Sequence, residues 1–263
     1  RERFYWPMYI LVIKSPGGTE TDAYVDELTK KGYDAVLKTA IVFDFKNIDL
    51  LREHLARPDQ FEGIVATSPR CVEAISLAIK CHDNPLHVSS KWSHRSVYAI
   101  GKKTAEKLSQ LGFSPRGSQS GNAEQLSKQI IEDFCHKHTQ RTLLYPCGDL
   151  RRDFLTKQLK EHDIVLQEVE VYCTLPNPSI QDELSDLFNK EGMPRLFVYF
   201  SPSAVQVCSK VFSQLNIDTH SFKNIAIGQT TASSLVTSGM NVLLSCNEPS
   251  PHSLTEALKS INM

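Results

Sequence analysis

The chain contains an internal repeat, and this feature constrains its fold more than any other. The segment Gly63–Val72 matches Leu196–Val205, because both have the pattern of a short apolar strand, then Ser-Pro, then a helix. Farther along, Val97–Ala105 matches Asn224–Ala232, and each copy has another glycine at the same distance downstream. Self-similarity of this kind predicts a duplicated structural unit.

Each copy has the pattern of an α/β unit. Strand segments such as Ile64–Ala66 and Leu196–Phe200 are apolar at consecutive positions, which is typical of a parallel sheet covered on both faces. The alternation of strands and helices favours a doubly wound arrangement, and a chain of 263 residues is long enough for two domains. The sequence therefore predicts an α/β protein with two doubly wound parallel-sheet domains, in which ligands bind at the carboxyl ends of the strands.

The composition argues against several classes of protein. Twenty-nine Lys and Arg residues against thirty Asp and Glu give a net charge of -1, so the chain has no basic field that would attract nucleic acid. The apolar run Tyr9–Ile13 is too short to span a membrane. Seven cysteines, an odd number without a Cys-x-x-Cys pair, are typical of reduced core residues in a cytosolic protein. The cluster Cys135-His136-Lys137-His138 lacks further ligands at suitable spacing, so a solvated helix end explains it better than a metal site.

Two Ser-Pro loops follow predicted strands. In Thr67-Ser68-Pro69-Arg70 and Ser201-Pro202-Ser203 the serine is suited to cap the next helix, and the proline is suited to its first turn. The helix N-terminus that each loop creates favours an anion. The alternative interpretation is a capped helix without a ligand.

Two glycine loops also follow predicted strands, Gly101-Lys102-Lys103-Thr104 and Gly228-Gln229-Thr230-Thr231. Glycine allows a tight turn after the strand, and threonine can cap the next helix or contact a ligand. Each loop has too few glycines for a nucleotide-binding motif.

A third kind of loop, Pro146-Cys147-Gly148, is followed by Arg151 and Arg152 in the predicted first turn of a helix. Basic residues there oppose the helix dipole, so an anionic ligand explains them better than a solvated face does. The sequence contains no nucleophile elbow, no His-Glu-x-x-His motif and no evident catalytic pair of carboxylates. From the residues alone, we expect a two-lobed α/β protein that binds a polyanion in a cleft.

Taken together, the loops resemble those of animal-type uroporphyrinogen-III synthases. No single motif is diagnostic, but the order and spacing of seven segments are specific, and the resemblance runs from about residue 8 to the C-terminus. The sequence departs from the family pattern at two places. At Gln229 the family has a proline before the Thr-Thr pair, and Ser233-Ser234 also differs from the pattern. The seven segments are Ala66–Ala74, Ser96–Gly101, Gly121–Glu124, Pro146–Arg152, Val171–Thr174, Phe200–Ser203 and Ala226–Ala232.

This resemblance implies a swapped domain organisation. Members of the family build one domain from both chain ends and the other from the middle, and a two-stranded β-ladder joins the two. Here the resemblance implies one domain of residues 1–38 and 176–263, a second of residues 46–167, and a ladder of residues 39–45 with 168–175. Since only two strands would connect the domains, we expect a hinge.

The resemblance also implies an activity. Such enzymes convert hydroxymethylbilane to uroporphyrinogen III, closing the ring with loss of water and inversion of ring D, in haem and tetrapyrrole biosynthesis. The leaving hydroxyl produces a reactive azafulvene, so most of the catalysis is positioning of the substrate, which explains why no catalytic constellation is evident. We expect no metal and no cofactor, and a monomer without nucleic-acid or membrane partners.

Tyr172 matches the position of the family's candidate general acid. A phenol suits this role, since it stays protonated at neutral pH and can donate to the leaving hydroxyl. The alternative is that Tyr172 is a packing residue at the hinge. The resemblance further implies a set of residues that bind the acetate and propionate groups of the substrate. These are Lys14, Thr67, Ser68, Arg70, Thr104, Gly121, Asn122, Gly148, Arg152, Ser201, Ser203, Gly228, Thr230 and Thr231.

Two rival functions stay open at this point. A non-enzymatic two-lobed protein that binds or senses a small polyanion would have the same lobes and the same helix N-termini. A phosphosugar isomerase-like domain is a third possibility, but the sequence offers no credible catalytic base for it.

Overall fold

The computed structural model describes residues 9–15, 22–80, 85–135, 141–151 and 153–261. The described residues form eleven strands and eleven α-helices, with a short 3-10 helix at Pro58–Gln60. The strands are β1 (Tyr9–Ile13), β2 (Asp34–Lys38), β3 (Ile41–Phe45), β4 (Gly63–Ala66), β5 (Ser96–Ala99), β6 (Pro115–Arg116), β7 (Arg141–Gly148), β8 (Ile164–Pro176), β9 (Leu196–Tyr199), β10 (Asn224–Ile227) and β11 (Leu244–Cys246). The helices are α1 (Ala23–Lys30), α2 (Ile48–Leu55), α3 (Pro69–Lys80), α4 (Pro85–Lys91), α5 (Lys102–Gln110), α6 (Ala123–Phe134), α7 (Phe154–Lys160), α8 (Ile180–Glu191), α9 (Pro202–Gln214), α10 (Gln229–Thr237) and α11 (Pro251–Lys259).

The chain divides into two compact units. The first unit comprises residues 1–42 and 175–263, and the second comprises residues 43–174. Within the part of the chain that the structure describes, no helix is long and apolar enough to cross a membrane.

The first unit contains a five-stranded parallel sheet in the order β11-β10-β9-β1-β2. Its interior strand β1 is at most 2% exposed along its whole length. Leu11 and Ile13 pack into the core on one face of the sheet, and Ile10 and Val12 pack into the core on the other. The strand is therefore apolar on both faces because helices cover both faces, as the sequence predicts.

The second unit is organised around a six-stranded sheet in the order β3-β8-β7-β4-β5-β6, in which the five strands from β8 to β6 are parallel. In β4, Ile64 and Ala66 pack against the core that includes α2 and α3, whereas Val65 packs against the core that includes α6 and α7. This sheet is likewise covered on both faces.

The two sheets have the same topology built from swapped segments. The first reads β2-β1-β9-β10-β11 and the second reads β8-β7-β4-β5-β6 when the edge strand β3 is left aside. In each sheet the first two strands come from one repeat and the other three come from the other repeat. The predicted fold class, two doubly wound parallel-sheet domains formed by duplication with swapped segments, is confirmed.

The helix starts confirm the chemistry expected of the Ser-Pro loops. The Cys71 N–H donates to Ser68 Oγ at 3.2 Å at the start of α3, and the Ala204 N–H donates to Ser201 Oγ at 3.3 Å at the start of α9. Pro69 is the first residue of α3, and its missing N–H leaves no donor unsatisfied there. Each loop follows the carboxyl end of a strand, where the sequence places the ligand site.

Candidate active site

In the second unit, the carboxyl ends of the parallel strands and the loops that follow them enclose a cleft of about 200 Å³. One group of lining residues is apolar and comprises Ile100, Ala123, Leu150 and Leu155. The other group comprises the buried Gly148 and five residues with polar side chains, Thr67, Tyr145, Arg151, Tyr172 and Thr174. The cleft can therefore hold a flat apolar ring beside hydrogen-bonding groups.

Tyr172 lies in β8 and places its phenol at the cleft. Its half-buried ring makes edge contacts with Phe43 and Phe45, at ring-centre distances of 5.8 and 6.5 Å. Its hydroxyl lies 3.3 Å from Ser68 Oγ, and either oxygen can be the donor. Burial raises the pKa of Tyr172 above its usual value, the nearby Cys71 adds to this shift, and the hydrogen bond with Ser68 opposes it. The phenol is therefore protonated at neutral pH and can donate a proton.

A change of register brings Tyr172 against Gly148. Cys147 pairs with Glu170, whereas Gly148 pairs with Tyr172, so that Val171 is an extra residue of β8. Extra residues of this kind re-aim the side chains that follow them. A Cβ atom on residue 148 would lie 2.5 Å from Cζ of Tyr172, closer than real atoms approach. Only glycine leaves room for the ring at this position.

Ser68 and Thr67 both face phenols. Ser68 Oγ caps helix α3 and also contacts Tyr172, as described above. Thr67 Oγ1 lies 3.5 Å from the hydroxyl of Tyr145, which is the outer limit of a hydrogen bond. Burial raises the pKa of Tyr145 to about 12, so this second phenol is also protonated at neutral pH.

Arg70, in the first turn of α3, is held by contacts on two sides. Its guanidinium lies 2.5 Å from the Glu73 carboxylate and stacks over the ring of Phe43 at 4.3 Å. Lys107 binds the same carboxylate at 2.6 Å. Burial of Glu73 would raise the pKa of its carboxyl, but the hydrogen bonds from Lys107 and Arg70 outweigh burial and lower it. Arg70 is thus a preoriented cation that already has one carboxylate partner.

The prediction that Arg151 occupies the first turn of a helix is wrong. Helix α7 begins at Phe154, and Arg151 lies before it, next to a turn. The guanidinium of Arg151 binds Glu168 at 2.6 and 2.9 Å and approaches Glu170 at 3.4 Å. Arg151 therefore has carboxylates of the chain as partners and does not face a helix dipole. The predicted binding residue Arg152 lies outside the described residues.

The remaining predicted binding residues of the second unit differ in accessibility. Asn122 caps helix α6 through its side chain, which accepts from the Gln125 N–H at 2.9 Å, and the exposed Gly121 N–H donates to Gln125 Oε1 at 2.9 Å. Ala123, the next residue, lines the cleft. Thr104 is only 2% exposed, so its hydroxyl is not presented at the surface.

In the first unit, the predicted residues lie at the carboxyl ends of β1, β9 and β10. Ser201 and Ser203 are half-buried at the start of α9. Lys14 follows β1, pairs with Asp22 at 2.5 Å, and lies over the ring of Tyr24 with its Nζ 4.9 Å from the centroid. Like Arg70, Lys14 is preoriented by an acidic partner and an aromatic ring.

The glycine loop of the first unit, Gly228–Thr231, exposes only one of the two threonines that the sequence predicts to bind the substrate. Gly228 has φ +90°, a conformation that glycine adopts without strain, and its counterpart Gly101 has φ +77°. Thr230 is exposed at the start of α10. Thr231 is 1% exposed, and its hydroxyl donates to the Ile227 carbonyl at 3.1 Å. The side chain of Thr231 is therefore engaged with the backbone.

The structure thus brings together Thr67, Ser68, Gly148 and Tyr172 at one cleft, with Arg70 joined to Tyr172 through the Phe43 ring. Sequence reasoning missed Tyr145, Leu150 and Thr174 as lining residues. Tyr145 has the pattern of a buried strand residue, although it directly precedes the Pro146-Cys147-Gly148 loop that the sequence places near a ligand. Leu150 was detectable in principle, because an apolar residue in a turn between Asp149 and Arg151 is unusual, and it is 66% exposed.

Among the described side chains, no group of three or more His, Cys, Asp or Glu residues could hold a metal ion. Cys135 is exposed, and the two histidines that follow it lie outside the described residues. That the protein needs no metal or cofactor stays a prediction.

A family model and a relative of known function name the same family. The family model described as "Uroporphyrinogen-III synthase HemD" matches residues 22–256. The chain is 26% identical to the uroporphyrinogen-III synthase of Saccharomyces cerevisiae over 264 residues, covering 90% of this chain and 91% of the yeast protein.

Solved structures support the same fold. The crystal structure of uroporphyrinogen-III synthetase from Helicobacter pylori matches with a TM-score of 0.64 at 18% identity, covering 97% of this chain and 100% of that one. A mutant uroporphyrinogen III synthase from Thermus thermophilus matches with a TM-score of 0.60 at 15% identity, covering 96% and 98%. At these identities the structures bear on the fold alone.

The contact between Gly148 and Tyr172 predicts a coupling in stability. Gly148→Ala should lower the free energy of unfolding by about 1–3 kcal/mol, because the new methyl group overlaps the ring. In a Tyr172→Ala background the same change should cost less, with a coupling of at least about 0.5 kcal/mol. Urea unfolding of the four proteins measures this.

Gly121→Ala is a matched control, since a Cβ there would meet nothing closer than 3.7 Å. It should change the free energy of unfolding by no more than about 0.5 kcal/mol. An equal cost of Gly148→Ala in both backgrounds would contradict the proposed contact.

Proposed function

The chain belongs to the uroporphyrinogen-III synthase family, and we propose that it converts hydroxymethylbilane to uroporphyrinogen III with loss of water and inversion of ring D. The observation that carries this function is the family match over residues 22–256, together with a protonated, half-buried phenol at a cleft on the carboxyl edge of the sheet. The reaction is that of a cyclising lyase, since a C–O bond breaks, water leaves and a C–C bond closes the ring.

The reaction depends more on how the protein orients the bilane than on acid and base groups. Once the hydroxyl has left, the azafulvene reacts by itself, and the uninverted ring forms without an enzyme. The protein must hold the bilane so that the substituted carbon of ring D attacks, which yields a spiro intermediate. Orientation of this kind can account for a large part of a barrier, about 7–11 kcal/mol in favourable cases.

We assign to Tyr172 the proton that the leaving hydroxyl takes up. Three features support this role: the phenol lines the cleft, burial raises its pKa, and the Ser68 hydroxyl lies 3.3 Å away. After Tyr172 has donated its proton, the Ser68 hydroxyl can donate to the resulting phenolate. The raised pKa keeps the donor protonated, and the hydrogen bond limits the cost of its ionisation.

The carboxylates of the substrate need cations and N–H donors. Arg70 is preoriented by Glu73 and Phe43, and the N-termini of α3, α6, α9 and α10 add backbone N–H groups. Lys14, Gly121, Asn122, Arg152, Ser201, Ser203, Gly228, Thr230, Thr104 and Thr231 stay in the proposed binding set, although the last two have buried side chains.

We further propose that the enzyme acts as a monomer in the cytosol. Six described cysteines, among them the buried Cys71, Cys147 and Cys208, are free thiols, which suits a reducing compartment.

Incubation with freshly prepared hydroxymethylbilane tests the function directly. The protein should yield the type III isomer, and chromatographic separation of the oxidised porphyrins measures the isomer ratio. A binding protein or sensor would leave only the type I ring that forms spontaneously. That outcome would overturn the proposed activity.

Tyr172→Phe tests the proton donor. The variant keeps the ring and its packing, so stability should barely change, while the rate should fall tenfold to hundredfold, about 1.4–2.7 kcal/mol of barrier. The product should remain mostly type III, because inversion depends on how the whole site folds the bilane. Wild-type turnover in a normally folded variant would contradict the acid role, and type I ring released from the site would mean that Tyr172 guides the inversion.

Arg70→Ala tests the binding of carboxylates. Loss of one charge-assisted hydrogen bond should weaken binding by about 1.5–3 kcal/mol and raise KM more than it lowers kcat. Lys107→Met is the matched control, because Lys107 is the other cation on Glu73 and should leave KM nearly unchanged. An unchanged KM in Arg70→Ala would contradict the binding role and leave Arg70 with a structural role alone.

A further inference from the structure

We propose that Asp149 is a positioning residue that fixes Tyr172 at the cleft. The proposal rests on the proposed role of Tyr172 as proton donor and adds a residue that acts through it without touching the substrate.

The first observation is a pair of hydrogen bonds from Asp149 to strand β8. The backbone N–H of Asp149 donates to the carbonyl of Tyr172 at 3.1 Å. The backbone N–H of Thr174 donates to Asp149 Oδ1 at 3.2 Å. Asp149 therefore holds β8 at Tyr172 itself and again two residues farther along.

The second observation is that Asp149 sits in a turn that is anchored on its other side. The Arg151 N–H donates to the Gly148 carbonyl at 3.3 Å and closes the turn. The guanidinium of Arg151 binds Glu168 and Glu170, which precede Tyr172 on β8. The turn is thus tied to β8 both before and after Tyr172, and it carries Gly148, against which the tyrosine ring packs.

The third observation is where the pairing of β7 with β8 stops. The ladder shifts register between Cys147 and Gly148, and Gly148, paired with Tyr172, is the last residue of β7. The two hydrogen bonds of Asp149 continue the pairing beyond that end. In the described part of the chain, these bonds support β8 on the side that faces β7 as far as Thr174, two residues after Tyr172.

A displaced Tyr172 would lose rate even in a folded enzyme. Misplacement of a reacting group by about 1 Å can cost about a hundredfold. The side-chain bond of Asp149 needs an oxygen acceptor but no charge, since its donor is a backbone N–H. Asparagine should therefore replace aspartate, whereas alanine should not.

The experiment compares Asp149→Ala with the matched Asp149→Asn. Alanine should lower kcat about fivefold to tenfold with little change in KM, while asparagine should stay within about twofold of wild type. In a Tyr172→Phe background, Asp149→Ala should lower kcat by less than about twofold, because the hydroxyl that it positions is gone. Should Asp149→Ala fail to fold, Asp149→Ser serves instead, since its shorter side chain suits a turn but does not reach Thr174.

A second measurement separates this proposal from the acid role of Tyr172. In protein labelled with ring-¹³C tyrosine, the signal missing from Tyr172→Phe belongs to Tyr172. That signal should move in Asp149→Ala and stay in place in Asp149→Asn. An unmoved signal, fully additive rate effects, or an asparagine variant as slow as the alanine variant would each overturn the positioning role. If Tyr172→Phe is fully active, the acid role fails, and the NMR signal still decides whether Asp149 positions the ring.

Discussion

Strands β1 and β7 each lie inside a sheet, and each needs backbone partners on both sides. Strand β1 pairs with β2 of its own repeat and with β9 of the other, and β7 pairs with β8 and β4 in the same manner. A buried strand that lacked one neighbour would leave a row of N–H and C=O groups unsatisfied, at a cost of about 1–3 kcal/mol each. In both sheets this second partner comes from the other repeat, so the exchange of segments is part of what satisfies the backbone of β1 and β7.

The site uses ion pairs within the chain to hold its cations in place. Arg70 meets Glu73, Arg151 meets Glu168 and Glu170, and Lys14 meets Asp22. An arginine fixed in this way loses less entropy when a substrate carboxylate arrives, although its attraction for that carboxylate is weaker. For a reaction that depends on the shape imposed on a flexible bilane, fixed geometry is worth more than raw charge.

The duplication and the α/β class of each unit were accessible from the repetition and the apolar strands, whereas the exchange of segments was implied only by the family resemblance. The serine caps at Ser68 and Ser201 were accessible as well, since capping is a local property. The partners of Arg151 were not, because they lie on β8, seventeen and nineteen residues away, and depend on register. The extra residue Val171 could not be predicted either, because no local sequence pattern indicates where the register of two paired strands changes. This change of register brings Tyr172 against Gly148.

The discontinuous first unit has a consequence for synthesis of the chain. A ribosome makes β1 long before β9, whose Leu196 comes 186 positions after its partner Ile10 (196 − 10). Until β9 has been made, the apolar strand β1 lacks this partner, and an unpaired strand edge of this kind can pair with a wrong strand. The second unit, residues 43–174, is continuous and needs nothing made later. In the cell the second unit should thus fold before the first. Until the last third of the chain has been synthesised, we expect chaperones to bind β1 and β2.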